Sequence, residues 1–196
     1  MSKLIVGLVG HISAGKETSF SRIRQRAEED GIFIAHHRFG DILRETLANW
    51  NQPTDRSHCD RLVPFMQEAF GLDALPKAMK GRLAKSSAVV DFLDGIRLWP
   101  DVEFLKSFSG SVLLYITAPA ERRSEWARER AKKPGAEKPK EAYMSDKEFQ
   151  LQEQQSQERF ITEIGETADV KVYNDGTLED LYATIDNFYD KYIAKK

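Results

Sequence analysis

A glycine-rich segment near the start of the chain has the residue types and spacing of a phosphate-binding loop. Gly10 and Gly15 are separated by four residues, and Lys16 follows directly. Glycines permit the dihedral angles that turn several N–H groups inward, and a lysine can bridge the β- and γ-phosphates of a nucleotide. The segment predicts ATP binding, with Lys16 as a catalytic residue. The residues expected around the phosphates are Gly10, His11, Ile12, Ser13, Ala14, Gly15, Lys16, Glu17 and Thr18.

The elements around this segment are the ones that a phosphate loop requires. Leu4 to Val9 is a short apolar run, which predicts a buried strand. Between Lys16 and Asp30 the apolar residues recur at helical spacing, so a helix is expected to begin at the lysine. The helix N-terminus would add a partial positive charge at the phosphates.

The position after the lysine departs from the common pattern. Ser or Thr usually stands there and supplies a hydroxyl to Mg²⁺, whereas this chain has Glu17 followed by Thr18. The helix dipole favours a carboxylate at this position, but phosphate repels it. Three roles stay open for Glu17: direct contact with Mg²⁺, contact through water, or pairing with a nearby cation only.

Acidic residues near the end of a later predicted strand are further candidates for the metal site. Asp94 stands at the strand end and is the expected acidic partner of Mg²⁺. Asp91 lies inside the apolar run and is the alternative, its other interpretation being a buried, hydrogen-bonded carboxylate. Arg97, about one turn beyond, is predicted to be catalytic and to grip either the acceptor phosphate or the γ-phosphate.

Arginines also crowd a charged helical stretch before a Lys- and Pro-rich segment at 132–141. In a kinase, a lid here would bring arginines onto the phosphates when it closes, and Arg128 and Arg130 are the expected catalytic pair. Glutamates are interleaved with these arginines, so the alternative is a surface helix with exposed ion pairs.

Strands alternate with helices along the chain, which predicts an α/β fold with a five-stranded parallel sheet between two helical layers. The predicted strands are 4–9, 32–35, 88–93, 112–117 and 170–173. The predicted helices are 16–30, 41–50, 57–70, 73–86, 120–133, 145–164 and 178–193. We expect a single domain with its core in 1–40, 87–120 and 166–196, an acceptor-binding helical region at 41–86 and a lid-like region at 121–165.

Composition excludes several classes of function. The formal net charge is -2, which argues against general attraction to nucleic acid or to an anionic membrane. No apolar run approaches the length of a membrane span. Cys59 is the single cysteine, so no intramolecular disulfide can form, and a cytoplasmic location is expected. The oligomeric state is not set by these features.

Four segments resemble nucleotide kinases. Gly15-Lys16-Glu17-Thr18 is similar to the adenylate kinase form Gly-Lys-Gly-Thr, and Gly40-Asp41-Ile42-Leu43-Arg44 resembles the segment that opens the monophosphate-binding region of that family. Asp94-Gly95-Ile96-Arg97 resembles Asp-Gly-Phe-Pro-Arg, one residue shorter. Asn174-Asp175-Gly176 resembles the end of dephospho-CoA kinases. The whole chain is most similar to a family of small archaeal P-loop proteins that lies between these two kinase families.

The resemblance implies a P-loop NTPase fold and an ATP- and Mg²⁺-dependent phosphotransferase that acts on a nucleotide or a nucleotide-like phosphorylated small molecule. It implies that Asp41, Arg44 and Arg97 bind the acceptor and that Asn174 and Gly176 lie beside the adenine. Two alternatives remain: a dephospho-CoA kinase-like activity, and a P-loop ATPase or nucleotide switch without a small-molecule acceptor.

Overall fold

The structure is a computed structural model that describes residues 3–134, 142–153 and 159–196. Strands and helices alternate as the sequence predicts. The strands are β1 Leu4–Val9, β2 Ile34–Arg38, β3 Val90–Asp94, β4 Val112–Thr117 and β5 Val170–Tyr173. The helices are α1 Lys16–Glu29, α2 Phe39–Asn49, α3 Arg56–Phe70, α4 Ala74–Leu83, α5 Trp99–Lys106, α6 Ala120–Ala131, α7 Asp146–Glu153, α8 Ile161–Glu166 and α9 Leu178–Tyr192.

The five strands form one parallel sheet in the order β2-β3-β1-β4-β5, which confirms the predicted fold class. All six residues of β1 are buried, as expected for a central strand that is covered on both faces. Val6 and Leu8 belong to the core cluster that includes residues of α1 and α9. Ile5 and Val9 belong to a second cluster with residues of α2, α4, α5 and α8. The sheet is therefore the middle of three layers.

The carboxyl ends of strands β1, β2 and β3 lie at the same level of the sheet. Leu8 and Arg38 are both in register with Asp94, so β1, β2 and β3 deliver their carboxyl ends to one edge of the sheet. Ligands of parallel α/β sheets bind outside this edge.

Three elements differ from the sequence prediction. The second strand is predicted at 32–35 but spans Ile34–Arg38, because residues 34–38 pair with β3 and the polar side chains among them have partners on neighbouring elements. The predicted helix at 145–164 is not continuous: α7 ends at Glu153, and α8 begins at Ile161, which is buried against the sheet. Residues 154–158 lie outside the described chain. Helix α5 was not predicted, because only eight residues form it.

No helix in the described ranges combines the length and the apolar character needed to cross a bilayer. Residues 135–141, most of the Lys- and Pro-rich segment, lie outside the described residues. The division into core, acceptor-binding and lid-like regions stays a prediction.

Candidate active site

The glycine-rich loop connects β1 to α1 and requires glycine at both ends. Gly15 has φ +101°, and a Cβ there would lie 2.6 Å from Nδ2 of Asn174. A Cβ on Gly10 would lie 2.2 Å from the carbonyl oxygen of Ile116 on β4. Ser13 also has a positive φ, of 59°. The loop is thus a tight turn pressed against β4 and the residue that follows β5.

Lys16 begins α1 and folds back over the loop. Its Nζ donates to the carbonyl oxygens of Gly10 at 2.5 Å and His11 at 3.0 Å. The ammonium group is therefore fixed at the loop rather than extended into solvent. A phosphate-bridging role for Lys16 stays a prediction.

Asn174 joins the end of β5 to the loop. Its Nδ2 donates to the carbonyl oxygen of Ala14 at 3.1 Å, and its backbone N–H donates to Thr117 at 2.7 Å. Arg122 then donates to the carbonyl oxygens of Asp175 and Gly176, at 2.6 and 2.9 Å. The segment that the resemblance assigns to adenine is thus tied to the phosphate loop by a side chain and to α6 by a guanidinium group.

A cavity of about 770 Å³ opens along the loop, within the range of small-molecule and cofactor sites. Its wall is made by the loop and α1, by the end of β3, by α6, and by the segment that leads into α9. The lining residues are Ser13, Ala14, Gly15, Lys16, Glu17, Thr18, Asp94, Arg122, Glu125, Trp126, Arg130, Lys133, Asn174, Gly176, Thr177, Leu178 and Leu181. We call this space the donor cavity.

Two residues at the start of the loop contact the helices that pack against it. His11 Nε2 lies 3.0 Å from Oγ1 of Thr162 on α8. Ile12 is buried in a small apolar cluster with Ala127 and Phe149. These contacts fix the position of the loop backbone, because they attach it to α6, α7 and α8.

Asp94 lies at the floor of the donor cavity as an ionised carboxylate. His36 Nε2 lies 3.2 Å from its Oδ2, and Arg38 Nε lies 3.7 Å from the same oxygen. Burial raises the pKa of Asp94, but the hydrogen bond from His36 and the charges of Lys16 and Arg38 outweigh it, so the pKa lies below its ordinary value. Asp94 therefore presents the hard anionic oxygen that Mg²⁺ prefers.

The other candidate carboxylates have different surroundings. Glu17 accepts a hydrogen bond from Nη2 of Arg38 at 2.6 Å, so it is paired with a cation. Asp91 is fully buried and lies in contact with Lys3, His37 and Ser86, with separations of 2.5, 2.9 and 2.6 Å. Asp91 thus matches the interpretation of a buried, hydrogen-bonded carboxylate, because neighbouring side chains surround it.

A second cavity, of about 150 Å³, lies next to the donor cavity. Arg44, Arg56 and Arg97 bring three guanidinium groups to it, from α2, α3 and the segment after β3. Its lining residues are Phe39, Gly40, Leu43, Arg44, Arg56, Cys59, Asp60, Val63, Leu75, Gly95, Arg97, Leu98 and Asp101. Such an arginine cluster suits a phosphate or a carboxylate. We call this space the acceptor cavity.

The carboxylates near the acceptor cavity orient its arginines and its backbone. Asp41 Oδ1 accepts from Nη1 of Arg44 at 2.8 Å, and Asp60 lies 3.5 Å from Nε of Arg56. Asp101 accepts from the backbone N–H groups of Arg97 and Leu98, both at 3.1 Å. Burial raises the pKa of Asp101 to about 6, although these two hydrogen bonds and the Arg97 charge oppose it.

The two predicted lid arginines lie in different places. Arg130 lines the donor cavity. Arg128 donates through Nη1 to Ser124 at 2.7 Å and pairs with Asp146 on α7 at 2.7 Å. A catalytic role for Arg128 stays a prediction, and it would require this side chain to change partners.

Sequence reasoning missed several residues that line or shape the two cavities. The sequence predicts that the second strand ends at residue 35, because the residues that follow are polar. His36 and Arg38, which lie in the observed β2, were therefore missed. Arg56 and Asp60 were missed because they reach the acceptor cavity only when α3 folds against α2. Asp55 caps α3 through a hydrogen bond from His58 N–H at 3.2 Å, and this helix-start signal places Arg56 in the first turn.

Comparison with known proteins supports the fold. No protein-family model matches the chain, and no curated protein sequence matches it. TT1252 from Thermus thermophilus superposes with a TM-score of 0.63 at 20% identity, over 97% of this chain and 98% of that one. Shikimate kinase from Bacteroides thetaiotaomicron gives 0.57 at 13% identity, over 96% and 97%.

A third solved structure, shikimate kinase from Acinetobacter baumannii in complex with shikimate, gives a TM-score of 0.51 at 17% identity, over 97% of this chain and 94% of that one. At such low identity these likenesses establish a shared fold. Together with the parallel sheet and the loop geometry, they show that this chain has the three-layer P-loop NTPase fold.

Proposed function

We propose that this protein transfers the terminal phosphoryl group of ATP to an anionic small molecule held in the acceptor cavity. The observation that carries the proposal is the adjacency of the two cavities. Asp94 lines the donor cavity, and the next residue, Gly95, lines the acceptor cavity. A donor phosphate above Lys16 and an acceptor near Arg97 would thus meet at the carboxyl edge of the sheet.

The donor cavity suits ATP with Mg²⁺. The described residues contain no cluster of three or more His, Cys, Asp or Glu side chains that could hold a metal by themselves. Mg²⁺ commonly binds through one or two protein groups, water and substrate phosphates, so Asp94 and the hydroxyl of Thr18 fit it. When bound, the ion would neutralise charge on the phosphates. Lys16 and Arg130 would hold the polyphosphate, and Asn174 and Gly176 would border the adenine.

The arginines of the acceptor cavity define the class of acceptor. Arg44 and Arg97 correspond to the segments that resemble adenylate kinases, which supports a phosphate monoester such as a nucleotide. Phe39 lies at the cavity wall, but it is buried in the apolar cluster with Ile42, so its ring is not open for stacking on a base. The acceptor hydroxyl or phosphate oxygen would attack the terminal phosphorus, and the leaving ADP would stay on the loop.

A second acceptor class is a small hydroxy-carboxylate. The cavity of about 150 Å³ is below the usual range for small-molecule sites, which favours a compact ligand. Two of the solved structures of similar fold are shikimate kinases, one of them in complex with shikimate. Guanidinium groups bind carboxylate and phosphate by the same bidentate geometry, so the arginines accept either class.

A nucleotide switch without an acceptor is the contrasting hypothesis. It gives no role to an arginine-lined cavity beside the donor site. The test is ADP release with ATP and Mg²⁺ over a panel of nucleoside monophosphates, deoxynucleotides, dephospho-CoA and shikimate. We expect at least one acceptor to accelerate release strongly. Equal, slow release with every acceptor would support the switch.

A matched pair of variants makes the panel decisive. Arg44→Ala should reduce the acceptor-dependent rate, whereas Arg26→Ala removes an arginine that pairs with Asp190 at 2.8 Å near the far end of α1. If both variants lose the same activity, the acceptor cavity is not the site. Product analysis by phosphorus NMR then identifies which oxygen received the phosphoryl group.

A further inference from the structure

We infer that Arg38 is a positioning residue for the nucleotide, acting by neutralising Glu17 so that a loop bearing a carboxylate can accept a polyphosphate. This inference rests on the proposed function, since it assigns Arg38 a task within the donor site. It also gives a physical reason for a glutamate in the position where a hydroxyl is usual.

The geometry places Arg38 between two carboxylates. Arg38 is the last residue of β2 and is in register with Asp94 on β3. Its Nη2 lies 2.6 Å from Oε2 of Glu17, and its Nε lies 3.7 Å from Oδ2 of Asp94. One guanidinium group therefore contacts Glu17 on α1 and lies near Asp94 on β3.

The charges at this floor would otherwise oppose a polyphosphate. Glu17 and Asp94 both line the donor cavity and both are acidic side chains. Lys16 and the N-terminus of α1 attract phosphate, but each carboxylate repels it. Pairing with Arg38 neutralises Glu17 locally. The repulsion between Glu17 and a phosphate is then weaker, so it offsets less of the attraction between Lys16 and the phosphate.

The pair is placed to affect ligand binding more than folding. The Arg38 side chain is 41% exposed and that of Glu17 is 66% exposed. Ion pairs as exposed as this contribute little to the free energy of unfolding. Loss of the pair should therefore appear in nucleotide affinity, with little change in the thermal midpoint.

A double-mutant cycle read by calorimetry tests the inference. The proteins are the wild type, Arg38→Ala, Glu17→Thr and the double variant, each titrated with ADP in the presence of Mg²⁺. We expect Arg38→Ala to weaken binding about tenfold in the wild-type background, as one uncompensated like charge would. In the Glu17→Thr background, the same change should weaken binding by clearly less, because Glu17 is gone and only Asp94, at 3.7 Å from Nε, remains beside Arg38.

Arg38→Lys provides a conservative check. It keeps the positive charge and should retain most of the affinity. An equal loss for Arg38→Ala in both backgrounds would overturn the inference, since Arg38 would then act on phosphate without Glu17. An unchanged affinity for Arg38→Ala in the wild-type background would also overturn it.

Two controls separate this inference from the proposed function. Arg26→Ala removes an arginine that pairs with Asp190 near the far end of α1 and should leave ADP affinity unchanged. If the wild type binds no ADP at all, the proposed function fails. If the wild type binds ADP and Lys16→Ala does not, but the cycle shows no coupling, only the role of Arg38 fails.

Discussion

The donor and acceptor cavities lie side by side but are built in different ways. The donor cavity is built around one short loop, in which neighbouring atoms leave no room for a Cβ at Gly10 or Gly15. The acceptor cavity depends on side chains from α2, α3 and the segment before α5, which meet only after the helices pack. A backbone site tolerates few changes of shape, whereas a side-chain site can change its ligand through single substitutions. The two cavities should therefore respond differently to mutation.

The largest effect is expected at the donor cavity. Lys16→Ala removes the ammonium group that the loop carbonyl groups hold, and we expect kcat to fall by about 10³-fold, the scale of losing one preorganised charge. The check is the rate of ADP formation with the best acceptor, together with the thermal midpoint. Lys77→Ala is the control, since Lys77 pairs with Asp73 on the surface at 2.9 Å. Turnover within about tenfold of the wild type would remove Lys16 from the mechanism.

An acceptor-side variant should affect a different kinetic constant. Arg97→Ala removes one charged hydrogen-bond donor, so we expect the acceptor KM to rise about 10- to 100-fold. The KM for ATP should stay within about twofold if the cavities are separate sites. Steady-state kinetics with each substrate varied in turn measures both constants. A parallel rise in the KM for ATP would indicate that Arg97 binds the γ-phosphate instead. The two cavities would then not act as separate sites at this residue.

The pH dependence of stability provides a sharper test of the acceptor side. Burial raises the pKa of Asp101 from 3.8 to about 6, so the folded protein binds this proton more tightly than the unfolded chain does. Its contribution to stability is present below pH 4 and is lost as pH rises towards 6. Asn is neutral, and its side-chain oxygen can accept the same two N–H groups.

We therefore expect Asp101→Asn to gain about 2 kcal/mol relative to the wild type between pH 4 and pH 7. Urea unfolding at several pH values measures this difference. Asp73→Asn is a control with the opposite sign, because the hydrogen bond from Lys77 holds the pKa of Asp73 below its ordinary value. A difference between Asp101→Asn and wild type that does not change with pH would contradict the burial argument.

The same contrast explains how far the sequence could predict the molecule. The glycine-rich loop, its flanking strand and helix, and the position of Asp94 at a strand end are local features, so residue spacing is sufficient to predict where they lie. The sheet followed from alternating strands and helices, although only the structure gives the strand order. These predictions needed no knowledge of distant contacts.

The missed residues depend on distant contacts instead. The polar end of β2 is strand because it pairs in register with β3, and its side chains find distant partners: His36 stacks on Phe20, with ring centroids 3.9 Å apart, and Arg38 contacts Glu17. Arg56 enters the acceptor cavity only because α3 packs against α2. Spacing in the sequence carries no direct signal for either contact. Spacing in the sequence also does not separate the lid arginines. Arg128 pairs with Asp146, whereas Arg130, two residues later, lines the donor cavity.

The smallest expected effect concerns the residue that ties the adenine segment to the loop. Asn174→Ala deletes the buried hydrogen bond to Ala14 and should cost about 1 kcal/mol, or about fivefold in ADP affinity. Asp175→Ala is the matched control, because it is the backbone carbonyl of Asp175 that Arg122 contacts. Calorimetry with ADP and urea unfolding separate the two consequences. If the free energy of unfolding changes but the ADP affinity does not, Asn174 stabilises the fold without contributing to nucleotide binding. ADP binding would then depend on the loop itself and not on the hydrogen bond that Asn174 donates to it.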